Sequence, residues 1–282
     1  MTHSRPVIRD LLTERGLAPR RDLGQNFVAD PNTVHRIAHL ARVGAGDHVV
    51  EIGAGLGSLT LALAETGATI TAVEVDVGLV AVLRDVFAGH PTVTVLEADA
   101  MKADWTALLG ERAVGSVLVA NLPYNVATPL VCDVLDRVPG VARMLVMVQR
   151  EVADRMAAGP GDKLYGAVSV KVAYWASASV VATVPASVFV PRPNVESALV
   201  RIDRRPTPPI DPALLFPLVR QGFGQRRKML RKSLKGAVTT EQFDDAGVAP
   251  QARPEELGLD AWCRLAQTVA PTSDQKIDGP TT

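Results

Sequence analysis

The chain has 282 residues, 47% hydrophobic and 21% charged, enough apolar material for one large domain plus a small one and too much for a disordered protein. Thirty Lys/Arg balance thirty Asp/Glu, but residues 181–240 carry eleven Lys/Arg against three Asp/Glu while residues 241–282 carry three against eight. A basic block inside a neutral protein suggests a polyanionic partner met by one face.

Cys132 and Cys263 stand apart from any CxxC or Cys/His cluster, which argues against structural zinc and fits a reducing cytoplasm. The first sixteen residues alternate charged and apolar side chains and lack the apolar core of a signal peptide. Residues 113–132 and 172–191 are free of charge, yet their prolines and Asn, Ser and Thr residues mark buried strands and loops, not membrane spans.

In chain order, residues 5–16 read as a helix and Pro19–Phe27 as a loop. Asp30-Pro31 pairs a capping carboxylate with proline at the first helical position, so a second helix starts there. Strands are predicted at Asp47–Ile52, Thr69–Val75, Thr92–Leu96, Ser116–Ala120 and 141–148, alternating with helices at Leu59–Ala64, Gly78–Ala88 and 126–137. That alternation implies βαβ units and a mostly parallel sheet. Ser177–Val184 and Glu196–Ile202 are β-rich and suit an antiparallel edge. Four prolines between Pro206 and Pro212 mark a domain boundary. Residues 211–270 then read as short helices, and 271–282 as a disordered tail. The expected domains are therefore 1–205, 206–270 and the tail.

The ends of successive strands carry the chemistry. Glu51-Ile52-Gly53-Ala54-Gly55-Leu56-Gly57-Ser58 follows the first strand and opens a helix, with glycines that permit a tight turn and close ligand approach. The spacing is GxGxG, and Ser58 stands where a dinucleotide-binding pattern has its last glycine, which weakens an NAD reading. Glu74 ends the second strand, placed for ribose hydroxyls, and Asp99 follows the third, placed for an adenine amino group. Asn121-Leu122-Pro123-Tyr124 ends the fourth. There the Asn121 side chain and the Leu122 carbonyl are acceptors, Pro123 fixes the turn, and Tyr124 offers a face to a flat base. Such a site suits holding a planar amine with its nitrogen aimed at an electrophile.

This order of motifs resembles S-adenosylmethionine-dependent methyltransferases that act on exocyclic amines of nucleobases. Four further segments narrow the resemblance: Gly24-Gln25-Asn26-Phe27, the extended run Asn121–Leu130, Val188–Ala198 (VFVPRPNVESA), and Gln225-Arg226-Arg227-Lys228. Together they resemble the bacterial small-subunit (16S) ribosomal RNA adenine dimethyltransferases over residues 20–270. The resemblance implies a Rossmann-like class I α/β fold with a mostly parallel seven-stranded sheet, plus a small all-α C-terminal domain. It also implies dimethylation of two adjacent adenosines in the 3′-terminal hairpin of small-subunit rRNA during late ribosome assembly, by a cytoplasmic monomer that meets the pre-ribosomal small subunit.

Carried over by position, Asn26, Val28, Gly53, Gly55, Glu74, Asp99 and Asn121 would bind S-adenosylmethionine. Asn121, Leu122, Pro123, Tyr124 and Phe189 would hold the target base. On the residues alone, Phe189 also fits a core aromatic between prolines. Arg220, Arg226, Arg227, Lys228, Arg231, Lys232 and Lys235 would contact RNA, on a helix that docks Met229, Leu230 and Leu234 inward. Gly222 and Gly224 would loosen the helix before this block. The alternatives are a large-subunit rRNA adenine methyltransferase of the macrolide-resistance type and a non-catalytic assembly factor. His35, His39, His48 and His90 have no metal-ligand spacing.

Overall fold

A computed structural model describes residues 2–270 of the chain; the predicted disordered tail at 271–282 lies outside the described residues. The chain divides into two compact units, one formed by the residues up to Ala157 with Trp175–Arg205, the other by Ala158–Tyr174 with the chain from Pro206 onward.

The first unit is built on nine strands: β1 (Phe27–Val28), β2 (His48–Ile52), β3 (Thr69–Glu74), β4 (Val93–Glu97), β5 (Ser116–Asn121), β6 (Val141–Gln149), β7 (Ala176–Val184), β8 (Phe189–Val190) and β9 (Ser197–Arg204). Seven form one sheet in the order β4-β3-β2-β5-β6-β9-β7, and β1 pairs with β8 in a separate two-stranded ribbon. The first five sheet strands are parallel, and β9 runs antiparallel to both β6 and β7. Buried β5 reads as a near-continuous apolar run because both of its faces are covered, and β2 is as deeply buried although it carries Glu51.

Helices α1 (Arg5–Glu14), α2 (Pro31–Ala41), α3 (Ser58–Ala64), α4 (Val77–Val86), α5 (Trp105–Leu109), α6 (Ala127–Arg137) and α7 (Arg150–Ala157) complete this unit. The Asp30 side chain caps α2 at Thr33 N, with Pro31 at the first turn as the sequence predicts. Asp76 caps α4 through Gly78 N and Leu79 N. Ile8 and Leu12 of α1 pack with Phe27, Leu56 and Leu79, which fastens the N-terminal helix beside the glycine turn.

The second unit is helical: α8 (Ala167–Trp175, whose last residue belongs to the first unit), α9 (Pro212–Gly224), α10 (Leu230–Ser233), α11 (Thr240–Asp245) and α12 (Leu259–Val269). Its core holds Trp262 and Tyr165, with the half-buried Phe223 ring against both, and Tyr165 donates its hydroxyl proton to Leu257 O at 2.8 Å. That bond and the Tyr165–Phe223 edge contact tie residues 158–174 to the later helices, so the expected uninterrupted unit at 1–205 is broken by this insertion. Val168, Val170 and Val172 give the α8 segment a local preference for β structure, and burial overrides it. Gly222 does not loosen α9: a Cβ there would lie 2.6 Å from the Trp262 ring, so the glycine admits α12.

Among the described residues, no helix is long and apolar enough to cross a membrane.

Candidate active site

Strand order reverses between β2 and β5, and in open α/β sheets ligands bind outside the carboxyl ends of the strands at such a reversal. A cavity of about 280 Å³ opens there, bordered by the glycine turn after β2, the ends of β3 and β5, the loop after β4 and residues 22–28.

The glycine turn is dictated by backbone geometry. Gly53, Gly55 and Gly57 have φ of 72°, 61° and 85°, a region costly for any residue with a Cβ. A Cβ on Gly57 would also lie 2.8 Å from the Phe87 ring. The turn is braced by Glu74, whose Oε2 accepts from Gly55 N at 2.8 Å. Its Oε1 accepts from Val75 N at 2.9 Å and Asp76 N at 3.0 Å. With two lone pairs per oxygen, Oε1 is filled and Oε2 keeps one site for a further donor. Burial pushes the Glu74 pKa up, and the three backbone N–H groups oppose that rise.

Beneath the turn lies Glu51, 1% exposed, with Oε2 lacking a hydrogen-bond partner among the described residues. Burial pushes its pKa up to about 8; the Thr60 hydroxyl opposes the rise without forming a well-made hydrogen bond, and the Glu74 charge adds to it. Asp99, at the cavity after β4, accepts from Met101 N at 3.0 Å and lies 3.3 Å from Lys102 Nζ. The ionisable side chains bordering the cavity are Asp22, Glu51, Glu74 and Asp99, all acids, and of these Glu51 is held protonated at neutral pH by burial. Such a lining suits a ligand carrying positive charge and disfavours a pyrophosphate.

At the end of β5, Asn121 Nδ2 donates to Asn26 O at 2.9 Å. This fixes the amide so that Oδ1 is left to accept. The Leu122 N–H donates to Met147 O at 3.0 Å, extending the sheet by one bond, while the Leu122 carbonyl takes no bond among the described residues. Pro123 O receives Val126 N and Ala127 N, closing the turn into α6. The Tyr124 hydroxyl is 3.0 Å from Ser197 Oγ, which anchors the half-buried ring by its far end.

Asn26, Val28, Gly53, Gly55, Glu74, Asp99, Asn121, Leu122, Pro123 and Tyr124 therefore all border one cavity. Phe189 does not. It is 1% exposed, lies opposite Val28 in the β1–β8 ribbon, and packs into the main core. The structure thus places Phe189 among core side chains and outside the residues that border the cavity. Sequence reading missed Gln25, Glu51 and Ser197: they sit inside the recognised segments, but Asp76 and Tyr124, the partners of Gln25 and Ser197, are distant in the chain, and the burial of Glu51 is set by the packing around it.

In the second unit the basic block is a turn at 225–228 followed by the four-residue α10, not one helix over 226–235. Leu230 and Leu234 are fully buried as expected, whereas Met229 adopts extended backbone and is 40% exposed. Arg226 pairs with Glu255 at 2.6 Å and donates to Lys163 O at 2.7 Å, so it braces its own unit. Arg220, Arg227, Lys228, Arg231, Lys232 and Lys235 are exposed and form no ion pair among the described residues.

The chain matches the family model described as ribosomal RNA adenine dimethylase over residues 16–270. It is 42% identical to a ribosomal RNA small subunit methyltransferase A from Bifidobacterium longum, covering 95% of this chain and 93% of that protein. A protein of the same name from Leifsonia xyli is 47% identical, over 92% of this chain and 95% of its own. Among solved structures, the 23S rRNA methyltransferase ErmE superposes with a TM-score of 0.68 at 26% identity, covering 86% of this chain and 99% of that one.

Proposed function

The chain belongs to the ribosomal RNA adenine dimethylase family and is an S-adenosylmethionine-dependent methyltransferase, and from that premise we propose its target. It methylates the exocyclic amines of two adjacent adenosines in the 3′-terminal hairpin of small-subunit rRNA. It does so as a cytoplasmic monomer, on a pre-ribosomal small subunit late in assembly. The relatives at 42% and 47% identity carry a small-subunit name, which supports the choice of subunit.

The observation that carries the mechanism is the Asn121–Asn26 bond, because it turns Oδ1 of Asn121 toward the role of acceptor. S-adenosylmethionine, when bound, supplies an electrophilic methyl group on a cationic sulfur. The residues present fit it: the acidic lining suits the cation, the remaining acceptor site on Glu74 Oε2 suits a ribose hydroxyl, and Asp99 suits an adenine amine. Asn26, Val28, Gly53 and Gly55 would border the same molecule.

An adenine amine is a weak nucleophile because its lone pair is delocalised into the ring. Asn121 Oδ1 and the Leu122 carbonyl would accept the amine hydrogens, two before the first transfer and one before the second, and favour a pyramidal nitrogen with its lone pair free to form the new N–C bond. Positioning of this kind lowers a barrier by several kcal/mol. The same acceptors stabilise the positive charge that develops on the nitrogen. The methylated nitrogen is strongly acidic and releases its proton to water. Tyr124, held by Ser197, stacks on the flipped base for roughly 1–3 kcal/mol. In the second unit, Arg220, Arg227, Lys228, Arg231, Lys232 and Lys235 face RNA phosphates.

The test is transfer of labelled methyl groups to small subunits lacking this modification, with large subunits in parallel. The expected result is incorporation approaching four methyls per small subunit, lost on Asn121→Ala while S-adenosylhomocysteine binding stays within a few-fold. Labelling of large subunits alone would move the target to the other subunit, and full transfer by Asn121→Ala would overturn the mechanism.

A further inference from the structure

We propose that Gln25 is a positioning residue for methyl transfer: it latches the segment 20–26 to Asp76, and the latched segment holds the carbonyl that orients Asn121. The inference rests on the function proposed above.

Gln25 closes this segment in two directions. Its Oε1 accepts from Arg20 N at 2.8 Å, and its backbone N–H donates to Arg20 O at 3.1 Å. Its Nε2 then donates to Asp76 Oδ2 at 3.1 Å. Asp76 is a rigid post because its other oxygen, Oδ1, caps α4 at Gly78 N (2.9 Å) and Leu79 N (3.3 Å). Arg20 Nη1 also approaches Asp76 Oδ2, at 3.7 Å, but this half-exposed cation pairs more closely with Asp22 at 2.6 Å. An exposed pair of that kind adds little.

The next residue is Asn26, whose carbonyl receives Asn121 Nδ2 and whose own Nδ2 donates to Gly24 O at 3.0 Å. Gly24, at φ 63°, lies so close to Pro123 that a Cβ would sit 3.0 Å from the proline Cβ. The segment thus spans from the end of β3 to the end of β5, with one anchor at Asp76 and the other at the catalytic amide. The bond to Asn26 O is the one that Asn121's side chain makes among the described residues. Without it the amide is free to turn over and present its NH₂ to an amine that is itself a donor. Loss of the latch therefore reduces the rate at saturation and leaves RNA affinity largely alone.

The experiment compares the wild type, Gln25→Leu, Asp76→Asn, and the double variant Gln25→Glu with Asp76→Asn, measuring kcat, KM for RNA and S-adenosylhomocysteine affinity. In the double variant donor and acceptor trade places: the new carboxylate still accepts from Arg20 N, and the new amide keeps its oxygen for the α4 cap. Gln25→Leu is expected to lower kcat about tenfold with RNA KM moved less than about twofold, a loss of positioning and not of binding. The double variant is expected to return to within about threefold of wild type, as a bond restored in reverse should. An unchanged kcat in Gln25→Leu, or a double variant no better than Gln25→Leu, overturns the latch. Absence of transfer by the wild type would instead overturn the proposed function.

Discussion

Replacing Glu51 with glutamine should remove a pH dependence built into the core of the first unit. The Glu51 carboxyl is fully buried and its pKa rises from an ordinary 4.5 to about 8 in the folded chain. The folded state therefore holds a proton that the unfolded state has released. Stability from this group is complete below pH 4.5, declines as pH rises, and levels off above about 8. The whole interval is worth up to roughly 5 kcal/mol, of which about 3 kcal/mol falls between pH 5.5 and 8.5. Glu74, also raised by burial, acts in the same direction. A glutamine side chain does not titrate, and the Glu51→Gln variant keeps the shape and the polarity of a protonated carboxyl. Urea unfolding of both proteins across that pH range reads the difference directly. The gap should move by about 3 kcal/mol in favour of the variant as pH rises. Parallel stability curves would refute the buried proton.

Gly57→Ala forces a Cβ into a left-handed backbone position against Phe87, and should cost about 2–4 kcal/mol in denaturant unfolding. Phe189→Leu should cost less than about 1.5 kcal/mol and leave methyl transfer within threefold, because the ring is core. A hundredfold loss of transfer at unchanged stability would return that ring to the site. Neutralising Arg227, Lys228 and Lys232 together should flatten the plot of log affinity against log salt by about 2–3, one phosphate contact each; an unchanged slope would remove them from the interface.

The sheet was legible because each parallel strand is a short apolar run followed by turn residues. The candidate site was legible because its groups lie at strand ends: Gly53, Glu74, Asp99 and Asn121 converge on one cavity once the strands are laid in parallel order. What failed to read depends on contacts distant in sequence. Phe189 sits among prolines whether it faces a cavity or a core, and only its pairing with β1 decides. Arg226 looks like its neighbours until Glu255, 29 residues later, claims it. Residues 158–174 open with Gly159-Pro160-Gly161, a turn signal that does not say which unit follows it; what assigns them is Tyr165 reaching Leu257. The antiparallel pairing of β7 with β9 was visible as β-rich sequence, but the intervening β8 and its partner β1 are two residues each, too short to leave a period.

Glu74 has a consequence for anyone redesigning the methyl donor. Three of its four acceptor sites are spent on backbone groups of this chain, so the residue that would read a sugar is also the keystone of the turn beneath it. A variant at this position dismantles both at once, and its lost affinity measures their sum. Among the described residues, Asp99 braces only its own short loop, through Met101 N and Lys102. Under the proposed function, altered-donor selectivity is therefore better sought at Asp99, which would touch the donor without holding the scaffold together.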